Sequence, residues 1–178
     1  FFFKQKTAYE IRVLFRSVDP AGALELCKAA LEDGSPEVKA AAVECLGQHE
    51  EYLPLVMEQA NSKNKIVRAA ALEALAEHDR PEIVKLFGDL IKNSAFDLLA
   101  RPFRALRSAQ VLRSLLNEGR TAFEQMLRGD EASPPKFWEI LGCLDQRVRN
   151  PNQEIEVEQF VIDCFQQNEQ LAKIKPAK

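Results

Sequence analysis

The sequence predicts an all-α fold in which pairs of helices repeat along the chain. Val38–Leu46 reads VKAAAVECL and Val67–Leu75 reads VRAAALEAL, so one pattern returns at a constant offset of 29 residues. A fixed period of this length is typical of repeat arrays, in which each unit is one supersecondary element. Apolar residues recur at helical spacing, and no stretch has the sustained alternation of a strand. We therefore expect an α–α superhelix, or solenoid.

Helix starts are marked where a side-chain acceptor directly precedes a proline. The acceptor satisfies a backbone N–H of the first turn, and proline presets φ at a position that needs no donor. Four such dipeptides occur, at Asp19-Pro20, Ser35-Pro36, Ser133-Pro134 and Asn150-Pro151. With the apolar spacing and short connections they predict about five antiparallel helix pairs, at 20–32 with 36–48, 51–61 with 64–77, 81–92 with 95–107, 109–117 with 119–128, and 134–148 with 151–172.

The first two pairs contain the repeated segment. Leu24, Cys27 and Leu31 give the first helix an apolar stripe. In the second helix of each pair, the alanine runs at 40–42 and 69–71 let neighbouring helices come close, while larger aliphatic residues at the ends of the pattern fill the layer.

The later pairs depend on weaker signals. In the third pair, Leu98, Phe103 and Leu106 follow the repeat pattern at an offset of 31, and Pro102 is expected to bend that helix. In the fifth pair, Trp138 is expected in the core. The last helix has an apolar surface wider than one stripe, which suits either a terminal cap or a helix that faces a partner.

The segments SPEVKAAAVECLGQ and NKIVRAAALEALAE resemble the second helix of HEAT repeats. In that family an acidic residue stands six positions before the basic one, and the two form a ladder between successive repeats. Asp33 and Lys39 match this spacing. Before Arg68, however, Ser62 takes the acidic position, and in the third pair Leu99 takes the basic one, so the ladder pattern stops there.

The resemblance is good over residues 20–92, weaker to 108, and only architectural beyond. It implies a HEAT-type solenoid whose second helices line a concave side. Because HEAT motifs are degenerate, the resemblance supports the fold much more strongly than any particular function.

Residues 1–17, FFFKQKTAYEIRVLFRS, differ from the rest of the chain. KQKTAYE and VLFRS resemble translated parts of a short-read sequencing adapter, so we interpret residues 1–17 as a non-native leader. Residues 18–178 are then a HEAT-like repeat domain that is truncated at its N-terminus. The alternative is a natural basic, aromatic leader that lies on a membrane or acts as a transit peptide. Without the leader, the formal net charge falls from −3 to −6.

The four cysteines are scattered and form no C-x-x-C motif. Cys27, Cys45 and Cys164 lie among apolar helix positions and are interpreted as small buried residues, which suits a reducing, cytoplasmic location. No apolar run approaches the roughly 18 residues that a membrane span needs, and no membrane interaction is expected.

His49 and His78, the only histidines, are each followed by a carboxylate. HEAT-like deoxyhypusine hydroxylases bind a di-iron centre through His-Glu pairs, but those pairs precede the alanine-rich run, whereas here they follow it. A histidine at a helix end more simply complements the helix dipole. No glycine-rich phosphate loop, nucleophile elbow or cysteine–histidine pair with ligand spacing is present. We expect no catalytic residues, metal or cofactor, and a HEAT-like lyase or metal-dependent hydroxylase remains the second alternative.

Charge is distributed unevenly along the chain. Residues 92–128 contain seven basic and three acidic side chains, a net of +4, between two acidic regions. Arg101, Arg104 and Arg107 fall three residues apart and are expected on one side of one helix. Such a run is either a solvated or internally paired face, or a surface that binds an acidic partner.

These observations favour a non-catalytic protein–protein interaction scaffold or adaptor. Its candidate partner-binding residues are Arg101, Arg104 and Arg107, and its expected partner is a protein that presents an acidic surface. Binding of a nucleic-acid backbone by a concave basic face, as in HEAT-like DNA glycosylases, is the first alternative. The net negative charge argues against it, because such binding normally needs a broad basic stripe.

Overall fold

A computed structural model describes residues 20–130, 133–145, 155–164 and 166. All regular structure within these residues is helical, so the predicted all-α fold class is confirmed. The chain divides between His78 and Asp79 into two compact units. Each unit has its own helices and its own buried side chains, and each is described in turn.

The first unit contains the first two predicted pairs. Its helices are α1 (Pro20–Ala30), α2 (Pro36–Leu46), α3 (Leu53–Gln59) and α4 (Lys65–Ala76), with a short 3₁₀ turn at Glu50–Tyr52 before α3. The first two pairs therefore occur where the sequence predicts them.

Equivalent polar residues start the second helix of each pair. The Ser35 Oγ accepts a hydrogen bond from the Val38 N–H at 3.4 Å, as the Ser-Pro signal predicts. Twenty-nine residues later, the Asn64 Oδ1 accepts from the N–H groups of Ile66 and Val67 at 2.9 and 3.4 Å. Each cap satisfies backbone donors that have no partner inside the helix. The repeat period thus includes the helix start as well as the helix itself.

The core of the first unit lies where α2 packs against α4. Ala41, Ala42 and Ala71 are fully buried in these helices, as are Leu46 and Leu75 near their ends. Because alanine adds only a methyl group, the two backbones can approach closely, and the leucines fill the remaining space. The sequence predicts that alanines allow the helices to come close and that larger aliphatic residues fill the layer. The structure has this arrangement.

The second unit contains four longer helical segments. These are α5 (Pro81–Lys92), α6 (Ala109–Leu127), α7 (Ser133–Asp145) and α8 (155–164), with 3₁₀ turns at Phe96–Leu98 and Pro102–Arg104 between α5 and α6. The predicted helix starts at Asp19 and Asn150 lie outside the described residues.

The predicted helix at 95–107 is wrong, because two 3₁₀ turns occupy that stretch. α5 ends where Ser94 adopts a left-handed φ of 55°. The N–H groups of Ser94 and Ala95 then bond to the carbonyls of Ile91 and Leu90, both at 3.0 Å, which closes the helix in a Schellman motif. Pro102 does not bend an α-helix here; it opens the second 3₁₀ turn.

The predicted break in the fourth pair is also wrong, because α6 is one continuous helix of 19 residues. Gly119 lies inside it and is buried. A Cβ added there would lie 2.9 Å from Phe160 Cζ and 3.2 Å from Ile140 Cγ2. The glycine therefore allows α7 and α8 to pack closely against α6 and does not end a helix. In the fifth pair, α7 ends at Asp145, and the predicted helices at 134–148 and 151–172 are described only in part.

Candidate protein-interaction surfaces

The three predicted binding arginines lie in the segment that joins α5 to α6. Arg101 directly precedes the second 3₁₀ turn, Arg104 ends it, and Arg107 lies in the non-helical residues before α6. All three side chains are exposed. Residues three apart in a 3₁₀ turn lie on the same side, so Arg101 and Arg104 remain neighbours although the predicted helix is absent.

Buried side chains anchor this segment between the arginines. Phe96, Leu99, Phe103 and Leu106 recur every three or four residues, and Pro102 is buried beside Phe103. The Phe96 carbonyl also accepts a hydrogen bond from the Cys143 thiol of α7, at 3.5 Å. Each of the three arginines makes an interaction with the rest of the chain. The interpretation of these arginines as a binding surface therefore depends on their exposure and charge.

The other arginines of the basic block form ion pairs within the second unit. Arg113 contacts Glu156 at 3.2 Å, and Arg120 lies 3.7 Å from Asp163, so both tie α6 to α8. Arg128 lies 3.8 Å from Glu124 on its own helix. These pairs are partly or largely exposed and contribute little to stability, about 0–1 kcal/mol each.

His78 forms a contact between the first two repeats. Its Nε2 lies 2.6 Å from the carbonyl oxygen of Gly47. Because a carbonyl oxygen can only accept, the proton lies on Nε2 and His78 is the donor. His49, at the equivalent position one repeat earlier, instead contacts the Tyr52 ring edge-on with 6.4 Å between centroids. The two histidines thus have different surroundings despite their equivalent positions.

No group of three His, Cys, Asp or Glu side chains suited to a metal ion occurs among the described residues. The His78 Nε2 is occupied by the Gly47 carbonyl. The hydroxylase alternative therefore gains no support from the geometry around this histidine.

All four cysteine side chains are buried, and the pKa values of three of them are raised. Burial raises the pKa of Cys143 to about 11, with a smaller contribution from the charge of Glu139. Burial also raises the pKa of Cys164. The pKa of Cys27 is raised chiefly by a hydrogen bond with the Cys45 thiol. Since thiolate is the nucleophilic form, these groups are poorly suited to nucleophilic catalysis at neutral pH.

Two residues at the predicted ladder positions, Asp33 and Arg68, bind nearby backbone groups. Asp33 Oδ1 accepts the Ser35 N–H at 2.7 Å, next to the α2 start. Arg68 Nη1 donates to the Ser62 carbonyl at 3.2 Å, so a backbone oxygen stands in for the missing acid. The Arg68 Nε is buried without a hydrogen bond among the described residues.

Trp138 is exposed, which corrects its expected place in the core. The residue retains 64% of its accessible surface, and its ring contacts the Phe137 ring edge-on, with 5.6 Å between centroids. The buried stripe of α7 consists of Phe137, Ile140 and Leu144. Their i, i+3, i+7 spacing leaves Trp138 off the stripe, and this signal was already present in the sequence.

The outward side of α8 also contains large apolar residues. Ile155 and Ile162 are exposed and lie two helical turns apart, on the side opposite the buried Phe160 and Cys164. Both α7 and α8 therefore have apolar side chains in solvent beyond those that build the core.

The comparison with known families agrees with the helical repeats. Residues 23–107, a little under half of the chain, match a family model described as HEAT repeats. No curated protein and no solved structure matches this chain. None of the described helices combines the length and the apolar character that a membrane crossing demands. With two repeats at an offset of 29 residues, equivalent helix caps and a matching family model, residues 23–107 are similar to HEAT repeats.

Proposed function

We propose that this protein is a non-catalytic interaction scaffold whose segment 101–107 binds an acidic surface of a partner protein. HEAT repeats generally mediate protein interactions, which supports the scaffold role. The observation that carries the proposal is the exposure of Arg101, Arg104 and Arg107 on a segment anchored by buried aromatic rings.

Anchoring matters because it lowers the entropy lost on binding. Phe96 and Phe103 are essentially fully buried, so the backbone that bears the arginines is already ordered before a partner arrives. A preordered surface spends less of its interaction energy on its own immobilisation. Arginine also suits this role, since its planar guanidinium binds carboxylates through two parallel hydrogen bonds.

The test replaces all three arginines by glutamate and measures binding to peptides selected from a random library by the wild-type chain. We expect selected peptides to be rich in Asp and Glu. The triple variant should bind them at least tenfold more weakly, with a larger loss at low salt because charge screening is weaker there. Lys63, Lys65 and Lys85 are also exposed, and replacing these three by glutamate makes the same charge change elsewhere.

Equal losses in the two triple variants would mean that net charge alone governs binding. Tighter binding to duplex DNA than to acidic peptides, lost in the arginine variant, would replace the proposal by the nucleic-acid alternative. A marked fall in the melting temperature of the arginine variant alone would assign these residues a structural role.

A further inference from the structure

The outward face of α7 combines an exposed tryptophan with small and acidic residues. Successive exposed positions on this face are Pro135, Trp138, Gly142 and Asp145, with Glu139 at its edge. A Cβ added to Gly142 would meet no atom within 4 Å, so the surface one turn beyond the indole is open. Tryptophan is highly buried on average in folded proteins. Tryptophan is also enriched among the few interface residues that contribute most of the binding energy.

Contacts on the other side of α7 hold Trp138 outward. Phe137 packs on Phe123 with 5.1 Å between ring centroids, and Ile140 is fully buried. The Cys143 thiol donates to the Phe96 carbonyl, as described above. A rotation of α7 that buried the indole would remove all three contacts. The exposure of Trp138 is therefore a consequence of how the core is packed.

Among the described residues, the charged side chains exposed on this face are acidic. Glu139 and Asp145 are exposed. The only cation of α7 is Lys136, and its ammonium group forms an ion pair with Glu118 of α6. The positive charge of Lys136 is therefore paired with α6, while the carboxylates of Glu139 and Asp145 lie on the same face as Trp138.

We propose that the outward face of α7 binds a basic segment of another protein, with a lysine or arginine side chain stacked on the Trp138 indole. Tryptophan has the strongest cation–π attraction of the aromatic residues, and this attraction is stronger when water is excluded from the contact. Glu139 and Asp145 pair with further cations of the segment, and the open surface at Gly142 admits a partner backbone. This surface binds a basic partner segment, whereas the arginine segment 101–107 binds an acidic one. The two proposals are independent of each other.

Trp138 is the only tryptophan in the chain, so its fluorescence reports directly on this face. The probes are a synthetic peptide of alternating arginine and glycine and a matched peptide of alternating glutamate and glycine. The basic peptide should change the emission of Trp138 in a saturable way, and the acidic peptide should leave it unchanged. With dye-labelled basic peptide, anisotropy should show at least tenfold weaker binding to Trp138→Ala, with Trp138→Phe in between.

Charge variants separate this site from diffuse attraction to an acidic chain. The double variant Glu139→Gln and Asp145→Asn should weaken basic-peptide binding at least threefold. The control Glu58→Gln and Glu77→Gln removes the same charge from exposed positions of the first unit and should have no effect. Circular dichroism should show unchanged helix content in every variant, since all five positions are exposed.

Three results would overturn the proposal. Equal weakening by the two double variants would indicate non-specific attraction. Concentration-dependent self-association that Trp138→Ala abolishes would make a second copy of the chain the occupant. An emission change with anionic lipid vesicles but not with the basic peptide would make a membrane surface the occupant.

Discussion

The Nε2–H of His78 donates a hydrogen bond to the carbonyl oxygen of Gly47 over 2.6 Å, and this bond joins the second repeat to the first. The same glycine lies against Ala74, because a Cβ added to Gly47 would lie 2.5 Å from the Ala74 Cβ. Gly47 has an ordinary helical φ of −65°, so space and not backbone conformation requires a glycine there. Two independent contacts therefore converge on one residue at the end of α2.

We expect Gly47→Ala to destabilise the first unit. Overpacking a closely packed contact costs about 1–3 kcal/mol, whereas replacing glycine by alanine in a helical conformation returns about 0.5–1 kcal/mol. The net effect should be a lower free energy of unfolding in urea titrations followed by circular dichroism. Gly34→Ala is the matched control, because a Cβ at Gly34 meets nothing within 4 Å.

A second substitution identifies the contact responsible. Ala74→Gly removes the methyl group that collides with the new side chain, so the double variant Gly47→Ala, Ala74→Gly should be more stable than the sum of the two single effects. Strict additivity would show that the two positions do not touch.

We expect His78→Ala to lower the free energy of unfolding by about 0.5–1.5 kcal/mol, the usual net worth of one hydrogen bond, with a further penalty if the Gly47 carbonyl loses contact with water. His78→Gln should retain part of that stability, since its amide N–H can reach a similar position. The measurement is again urea unfolding. Equal losses in the two variants would mean that the ring's packing, and not its N–H, is what matters.

In the second unit, Gly119→Ala should be destabilising although alanine is the better helix former. The gain in helix propensity is about 1 kcal/mol. It is outweighed because the new methyl group would lie 2.9 Å from Phe160 Cζ, and the Phe160 ring is fully buried. Gly142→Ala, in open space on α7, should instead raise the melting temperature. If both variants were stabilised, the close packing of α6 against α8 would be contradicted.

The pKa of Cys143 predicts how stability depends on pH. The unfolded thiol ionises near 9.0, whereas burial raises the pKa of the folded thiol to about 11. Above pH 9 the unfolded state therefore loses its proton first, so this thiol's contribution to stability is complete below pH 9 and disappears between about pH 9 and 11. Cys143→Ala should flatten that part of the stability profile relative to the parent chain. Unchanged slopes would exclude Cys143 as the source.

The sequence predicts the first unit well because local and tertiary signals agree there. Proline, capping side chain and alanine run all indicate the same start for α2. Between α5 and α6 the signals are ambiguous, because apolar residues three or four apart, such as Phe96, Leu99 and Phe103, suit both an α-helix and successive 3₁₀ turns. Ser94 adopts a left-handed conformation, which ends α5 and is followed by 3₁₀ turns in place of an α-helix. Serine rarely adopts this conformation, so the sequence contains no clear signal for it.

The candidate sites are predictable only in part. The arginine spacing identified an exposed basic segment, although the local structure differs from the expected helix. Trp138 was missed because aromatic residues are usually buried. The predicted break between 117 and 119 was likewise wrong, since the space that Gly119 provides for Phe160 involves residues about forty positions apart and cannot be predicted from the local pattern.

The absent side chain at Gly47 gives the two repeats a fixed order. Twenty-nine residues further on, the equivalent position in the second repeat is Ala76. If the second repeat were copied in tandem, the methyl group of Ala76 would face the Ala74 of the following copy, at a spacing where only a hydrogen atom fits. An engineered array extended by such copies should therefore require Ala76→Gly in the original second repeat and in every inserted unit except the last.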